Sequence, residues 1–112
     1  MFPYTFVDDV VILKPSGSIS VDNAHIFKRW VFNEFLRKGY SKIILDLSDV
    51  DKLDSFALGI LVSILKNSTS EGGDFVLCSP NESVRKVLEL TSLDKILKIA
   101  GTVSEALRKV RE

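Results

Sequence analysis

The residues best placed to do chemistry are Asp54 and Ser55, which open the run Asp54-Ser55-Phe56-Ala57-Leu58-Gly59-Ile60-Leu61-Val62. A polar pair ahead of an apolar helical stripe sets a hydroxyl beside free backbone N–H groups at a positive helix end, where a phosphate can be held. The same pair also suits an ordinary helix start, because Asp is a favoured N-cap, contributing about 1 kcal/mol, and Ser is tolerated in a first turn. Asp46, Asp49, Asp51 and Asp54 are dense enough to suggest Mg²⁺ or an acid/base pair. Acidic loop residues nonetheless occur widely as turn and cap formers, and that is how we read them.

Catalytic constellations are harder to assemble. Ser55 and His25 could serve as nucleophile and base, but His25 lies among Asn23, Ala24 and Ile26 at the start of an earlier helix, and nothing in the sequence brings it to Ser55. The strained Gly-x-Ser-x-Gly elbow is absent, since Leu53 and Ala57 stand where its glycines would be. Gly72-Gly73 is not followed by Gly-Lys-Ser/Thr, and no dinucleotide fingerprint is present. His25 and Cys78 are the only soft metal ligands and lie far apart. The expectation is therefore no catalytic residue, no cofactor and no metal. A small serine- or aspartate-dependent enzyme is kept as the alternative of a different class, with the missing elbow and unplaced base counting against it.

The frame that must position Asp54 and Ser55 follows from the rest of the chain. Its 112 residues, 46% of them apolar, fit one domain with one core. Fifteen basic residues balance fifteen acidic ones, so neither nucleic acid nor an anionic membrane is favoured, and proteins are the expected partners. The lone cysteine, Cys78, precludes an internal disulfide and reads as a buried, inert thiol in Phe75-Val76-Leu77-Cys78. Met1-Phe2-Pro3-Tyr4 leads into Asp8-Asp9 with no basic segment or long apolar stretch, which points to a cytoplasmic protein without signal peptide or membrane insertion.

Tyr4–Val7 and Val10–Leu13 are β-prone runs around Asp8-Asp9 and predict a hairpin. Gly17 breaks the pattern. Ala24, Phe27, Val31 and Phe35 then recur at helical spacing and predict a helix over 23–38 that Gly39 ends. Lys42–Asp46 reads as a strand buried on both faces, hence a parallel central strand. After Asp54, the residues Ala57, Ile60, Leu61, Ile64 and Leu65 form the apolar stripe of the next helix, closed by 68–73. A strand is expected over 74–79, and Ser79-Pro80-Asn81-Glu82 reads as a helix start capped by Ser79. A short strand at 97–99 precedes Thr102-Val103-Ser104-Glu105, a capping box that opens a final helix. Strands alternating with helices imply crossovers and a largely parallel sheet.

Ile43-Ile44-Leu45-Asp46-Leu47 followed by Asp51-x-x-Asp54-Ser55-x-x-Leu58-Gly59-x-Leu61-Val62 resembles the STAS domain of bacterial anti-sigma factor antagonists. Gly72-Gly73-Asp74-Phe75-Val76-Leu77, Val87-Leu88-Glu89-Leu90-Thr91-Ser92-Leu93-Asp94 and Ser104-Glu105-Ala106-Leu107 continue the likeness in order. The resemblance implies one STAS domain over 1–112, an α/β fold in which a mixed, mostly parallel β-sheet packs with about four α-helices. It also implies a protein that binds an anti-sigma factor serine kinase, a histidine-kinase-like ATPase, and so frees the sigma factor that the kinase held. In that family the serine after the motif aspartate accepts phosphate and binding then ends; here that position is Ser55. The expected partner-binding residues are Asp51, Asp54, Ser55, Phe56 and Leu58. Within the same fold, the alternative is a STAS interaction subunit of a signalling or lipid-transport assembly that is never phosphorylated. The chain departs from the commonest family pattern, with Phe56 and Ala57 in place of a second hydroxyl residue and a glycine. Phe56 is then either a docking anchor or a residue packed on a neighbouring loop. The oligomeric state is left open.

Overall fold

Two antiparallel strands begin the chain, Tyr4–Val7 (β1) and Val10–Leu13 (β2), in the computed structural model, which describes residues 2–112. Their two-residue turn needs left-handed backbone, and Asp8 supplies it at φ 54°. There follow Gly17–Ile19 (β3), Ala24–Glu34 (α1), Lys42–Asp46 (β4), Val50–Leu53 (β5) and Ser55–Ser70 (α2). Asp74–Cys78 (β6), Glu82–Leu90 (α3), Lys98–Ala100 (β7) and Val103–Lys109 (α4) complete the described elements. A five-stranded sheet runs in the order β1-β2-β4-β6-β7, parallel from β2 onward, with β1 as its antiparallel edge. The mixed, mostly parallel sheet and helices expected from the sequence are those observed.

β4 lies at the centre and is buried on both faces because each face carries its own core. Ile43 and Leu45 join Val11, Leu13, Phe75 and Leu77 beneath Phe27 and Val31 of α1, Leu61 and Ile64 of α2, and Val84 and Leu88 of α3. Ile44 points the other way, with Val10, Ile12, Val76, Cys78 and Ala100, under Ala106 of α4 and Val110 just after it. The period-2 alternation of a strand thus divides Ile43-Ile44-Leu45 between two apolar layers. Burial raises the Cys78 thiol to about 11, the nearby Asp46 charge adding to the effect, so the thiol stays protonated and inert at neutral pH.

Several local expectations change. The first helix stops at Glu34, and a 3₁₀ turn at Leu36–Lys38 carries the chain to Gly39, whose φ of 90° ends it. α3 is capped by Asn81, whose side chain accepts the Val84 N–H at 2.7 Å, and not by Ser79. Pro80 lies outside the helix, and Ser79 takes a left-handed φ of 55°. α4 has its cap as expected, Thr102 accepting the Glu105 N–H at 3.1 Å, while the Glu105 carboxylate accepts from Gly101 at 3.3 Å. Unforeseen in the sequence is a second, two-stranded parallel sheet that pairs β3 with β5.

The turn from α2 into β6 is held by a close approach that only glycine permits. A Cβ on Gly73 would lie 2.0 Å from the Ser41 carbonyl oxygen, which accepts the Asp74 N–H at 3.0 Å, so backing away would break the first bond of the β4–β6 ladder. Gly73→Ala is expected to destabilise the fold by about 2–4 kcal/mol. Gly59, in the exposed middle of α2, has nothing within 4 Å of its would-be Cβ. Gly59→Ala is expected to stabilise by about 0.5–1 kcal/mol. Urea unfolding of both variants checks the pair, and equal midpoints for Gly73→Ala and the parent would refute the contact.

Candidate functional site

β5 ends at Leu53 and α2 begins at Ser55, so Asp54 alone makes the corner. Its extended backbone, φ −96° and ψ −177°, is the conformation of an N-cap. One carboxylate oxygen accepts the Ala57 N–H at 2.9 Å and closes the first turn of α2. The other accepts the Val21 N–H at 2.8 Å and reaches the loop between β3 and α1, thirty-three residues earlier. The backbone tightens the same junction, for the Asp54 N–H donates to the Ile19 carbonyl at 3.3 Å. These N–H donors, Ala57 first, favour the charged carboxylate and hold Asp54 below its ordinary 3.8. Asp54 is therefore a carboxylate throughout the physiological range.

Ser55 stands exposed at the first position of α2, next to this fixed negative charge. Phe56 is 60% exposed, so it does not pack down on a neighbouring loop. Val21, 52% exposed, lies in the loop that Asp54 tethers. An apolar residue thus flanks the site in each of the two segments joined by Asp54. Sequence reasoning missed Val21; the turn-forming run Ser20-Val21-Asp22-Asn23 was its only signal, and there the Asn23 side chain accepts from Ser20 at 2.9 Å and donates to the Ser18 carbonyl at 2.8 Å.

Leu58 needs correcting as a partner-binding residue. It is 8% exposed and belongs to the core under the sheet, because α2 turns Ala57, Leu58, Leu61 and Ile64 inward together. Asp51 is exposed on β5, and the Asn81 side chain ties α3 to that strand by donating to the Val50 carbonyl at 3.1 Å.

The acidic cluster comes apart into separate duties. Asp46 is buried and accepts the Ser48 N–H at 3.0 Å in a local turn, whereas Asp49 reaches Lys14 at 3.9 Å on the surface. Among the described residues no three His, Cys, Asp or Glu side chains are grouped as a metal would need. His25 is exposed on α1 and shares a cleft with Lys28, Arg29, Phe32, Asn33 and Arg37, to which Ser55 does not contribute. Among the described residues no helix is long and apolar enough to cross a membrane. What this corner offers chemically is a solvated hydroxyl at a helix N-terminus, fixed in place by an ionised cap.

Comparison with known proteins bears on the family and the fold. The STAS domain pattern matches residues 2–106. A Thermotoga maritima protein named as a candidate anti-sigma factor antagonist is 60% identical over 111 residues, covering 99% of this chain and 98% of that protein. A crystal structure of a candidate anti-sigma factor antagonist from Thermotoga maritima superposes with a TM-score of 0.94 at 59% identity, covering 99% of this chain and 95% of that one. The anti-sigma F factor antagonist of Paenibacillus polymyxa is 25% identical over 101 residues, 90% of this chain and 86% of that protein.

Because Asp54 closes both the helix and the loop, Asp54→Ala should lower the melting temperature by roughly 5 °C at pH 7. The pH dependence has a definite sign. A carboxyl held below 3.8 in the fold supplies stability that is complete above that value and is lost as pH falls past it toward the folded value. Asp54→Asn, which has no such proton to gain, should lose less of its urea midpoint than the parent between pH 5 and pH 3 (about two pH units). Parallel losses in the two proteins would show that the Asp54 bonds contribute nothing.

Proposed function

The chain belongs to the STAS domain family, and we propose that it acts as an anti-sigma factor antagonist switched at Ser55. In its unmodified form it binds an anti-sigma factor serine kinase, a histidine-kinase-like ATPase, through the surface formed by Asp51, Asp54, Ser55 and Phe56, with Val21 beside them. Binding releases the sigma factor held by the kinase, in the cytoplasm. Transfer of a phosphoryl group from ATP to the Ser55 hydroxyl ends the association. The chain itself is the substrate of that transfer and performs no catalysis.

The observation that carries this reading is the exposed Ser55 at the first position of α2, directly after the capping Asp54. Phosphate would bring about −1.5 to −2 charge to a surface that already holds the ionised Asp54 and the exposed Asp51. Docking would then have to desolvate a cluster of like charges. The fold has little reason to respond, because helix N-termini accommodate anions. Only the surface changes its character.

Ser55→Asp is expected to weaken kinase binding at least ~10-fold. Its melting temperature should stay within about 2 °C of the parent's. Ser55→Ala should bind as the parent does, yet gain no phosphoryl group by intact-mass measurement after incubation with kinase and ATP. Phe56→Ser should weaken binding by ~10-fold if the exposed ring is an anchor. Equal affinities for Ser55→Asp and parent would sink the switch, and an unchanged parent mass would favour the constitutive STAS subunit instead.

A further inference from the structure

We propose that two copies of this chain associate through β1, edge to edge and antiparallel, about a two-fold axis at Thr5. The edge is chemically open. The Lys14 N–H donates to the Pro3 carbonyl at 2.9 Å, and Tyr4 to Val7 pair with Leu13 to Val10 in the same register. Bonded and non-bonded pairs alternate along an antiparallel ladder, so Thr5 and Val7 share their hydrogen bonds with β2, while Tyr4 and Phe6 turn their N–H and C=O groups off the sheet.

Neither charge nor proline protects this edge within the strand. From Tyr4 to Val7 there is no charged residue and no proline, and all four residues are exposed. The opposite edge, β7, is three residues long and carries Lys98, ion-paired to Asp74 at 2.6 Å. Beside β1 the surface is aromatic: Tyr4 contacts Trp30 and Phe35, and Phe6 contacts Phe35 and Tyr40. Tyr4, Phe6 and Tyr40 remain 53%, 41% and 40% exposed despite those contacts, and Val7 and Ile26 add 37% and 38%.

A second copy fits this edge because the strand complements itself. A two-fold axis at Thr5 sets Tyr4 opposite the partner's Phe6 and Phe6 opposite the partner's Tyr4. Both residues with outward backbone groups then become bonded pairs, and their rings meet on one face. Charge agrees as well. Phe2 meets Phe27 and Trp30, while Phe6 meets Phe35 and Tyr40, so α1 runs in the direction of β1. The two-fold axis reverses the partner's helix and directs Arg29, which has no carboxylate partner among the described residues, toward the partner's Glu34, whose own contact is the exposed Lys38 one turn on at 3.3 Å. The covered area is on the order of 400–500 Å² per copy, which is small, so association is weak with Kd on the order of 100 µM. The interface leaves Ser55 of each copy on α2 uncovered, and it does not depend on the proposed switch.

Sedimentation velocity of the full chain from about 10 µM to about 1 mM should pass from monomer to mostly dimer. Tyr4→Lys and Phe6→Lys should each weaken self-association at least ~10-fold, by removing a ring from the facing aromatic pair and putting a charge on the paired edge. Because those changes also touch the aromatic cluster, amide exchange of the unaltered protein provides a second reading. The Tyr4 and Phe6 amides should slow with rising concentration, whereas those of Thr5 and Val7, already bonded to β2, should not. A purely monomeric protein at about 1 mM, or concentration-independent exchange at Tyr4 and Phe6, would overturn the proposal. So would open-ended growth beyond the dimer, or slowing of those amides only when a different protein is added.

Discussion

The two-sided grip of the Asp54 carboxylate is the interaction on which the candidate site depends. One oxygen begins α2 and the other holds the Val21 loop, so one side chain sets both walls of the surface around Ser55. The charge that makes these bonds strong is maintained by them, since N–H donors stabilise the ionised form. Order at this site is thus obtained without burying Ser55 or Phe56, and both remain available to a partner.

α2 joins that corner to the core. Its inward residues, Ala57, Leu58, Leu61 and Ile64, are fixed by the sheet, and its first two residues, Ser55 and Phe56, lie in solvent. Rigidity comes from the packed end and chemistry from the exposed one. A modification at Ser55 can therefore alter what the surface will accept while the apolar layers beneath keep their contacts. This division follows from placing the hydroxyl at the first helical position; a few residues further along, it would sit among the inward-facing side chains.

Much of this was legible in the residue order, and the exceptions share physical causes. β4 and β6 announce themselves as apolar runs because they are covered on both faces, and Asp54 is recognisable as a cap because a helical stripe follows it. β3 and β5 escaped because Gly17–Ile19 and Val50–Leu53 are short and only partly buried, so their pattern resembles loop. Leu58 was misjudged because α2 is rotated to bury Ala57, Leu58, Leu61 and Ile64, leaving Ile60 and Leu65 half-buried beside them. α3 was placed two residues early because Ser79-Pro80 imitates a helix start, and only the left-handed backbone of Ser79 reveals that the chain is still turning. The link between Asp54 and Val21 spans most of a crossover connection, and no local pattern encodes it.

The single thiol has a use beyond its chemical quiet. Cys78 lies in the layer covered by α4 alone, shielded from solvent and protonated at neutral pH. A sulfhydryl reagent can reach it only when that terminal helix lifts or the whole chain opens. Labelling kinetics would therefore time the departure of α4 from the sheet, a natural clock for local unfolding on the side away from α2.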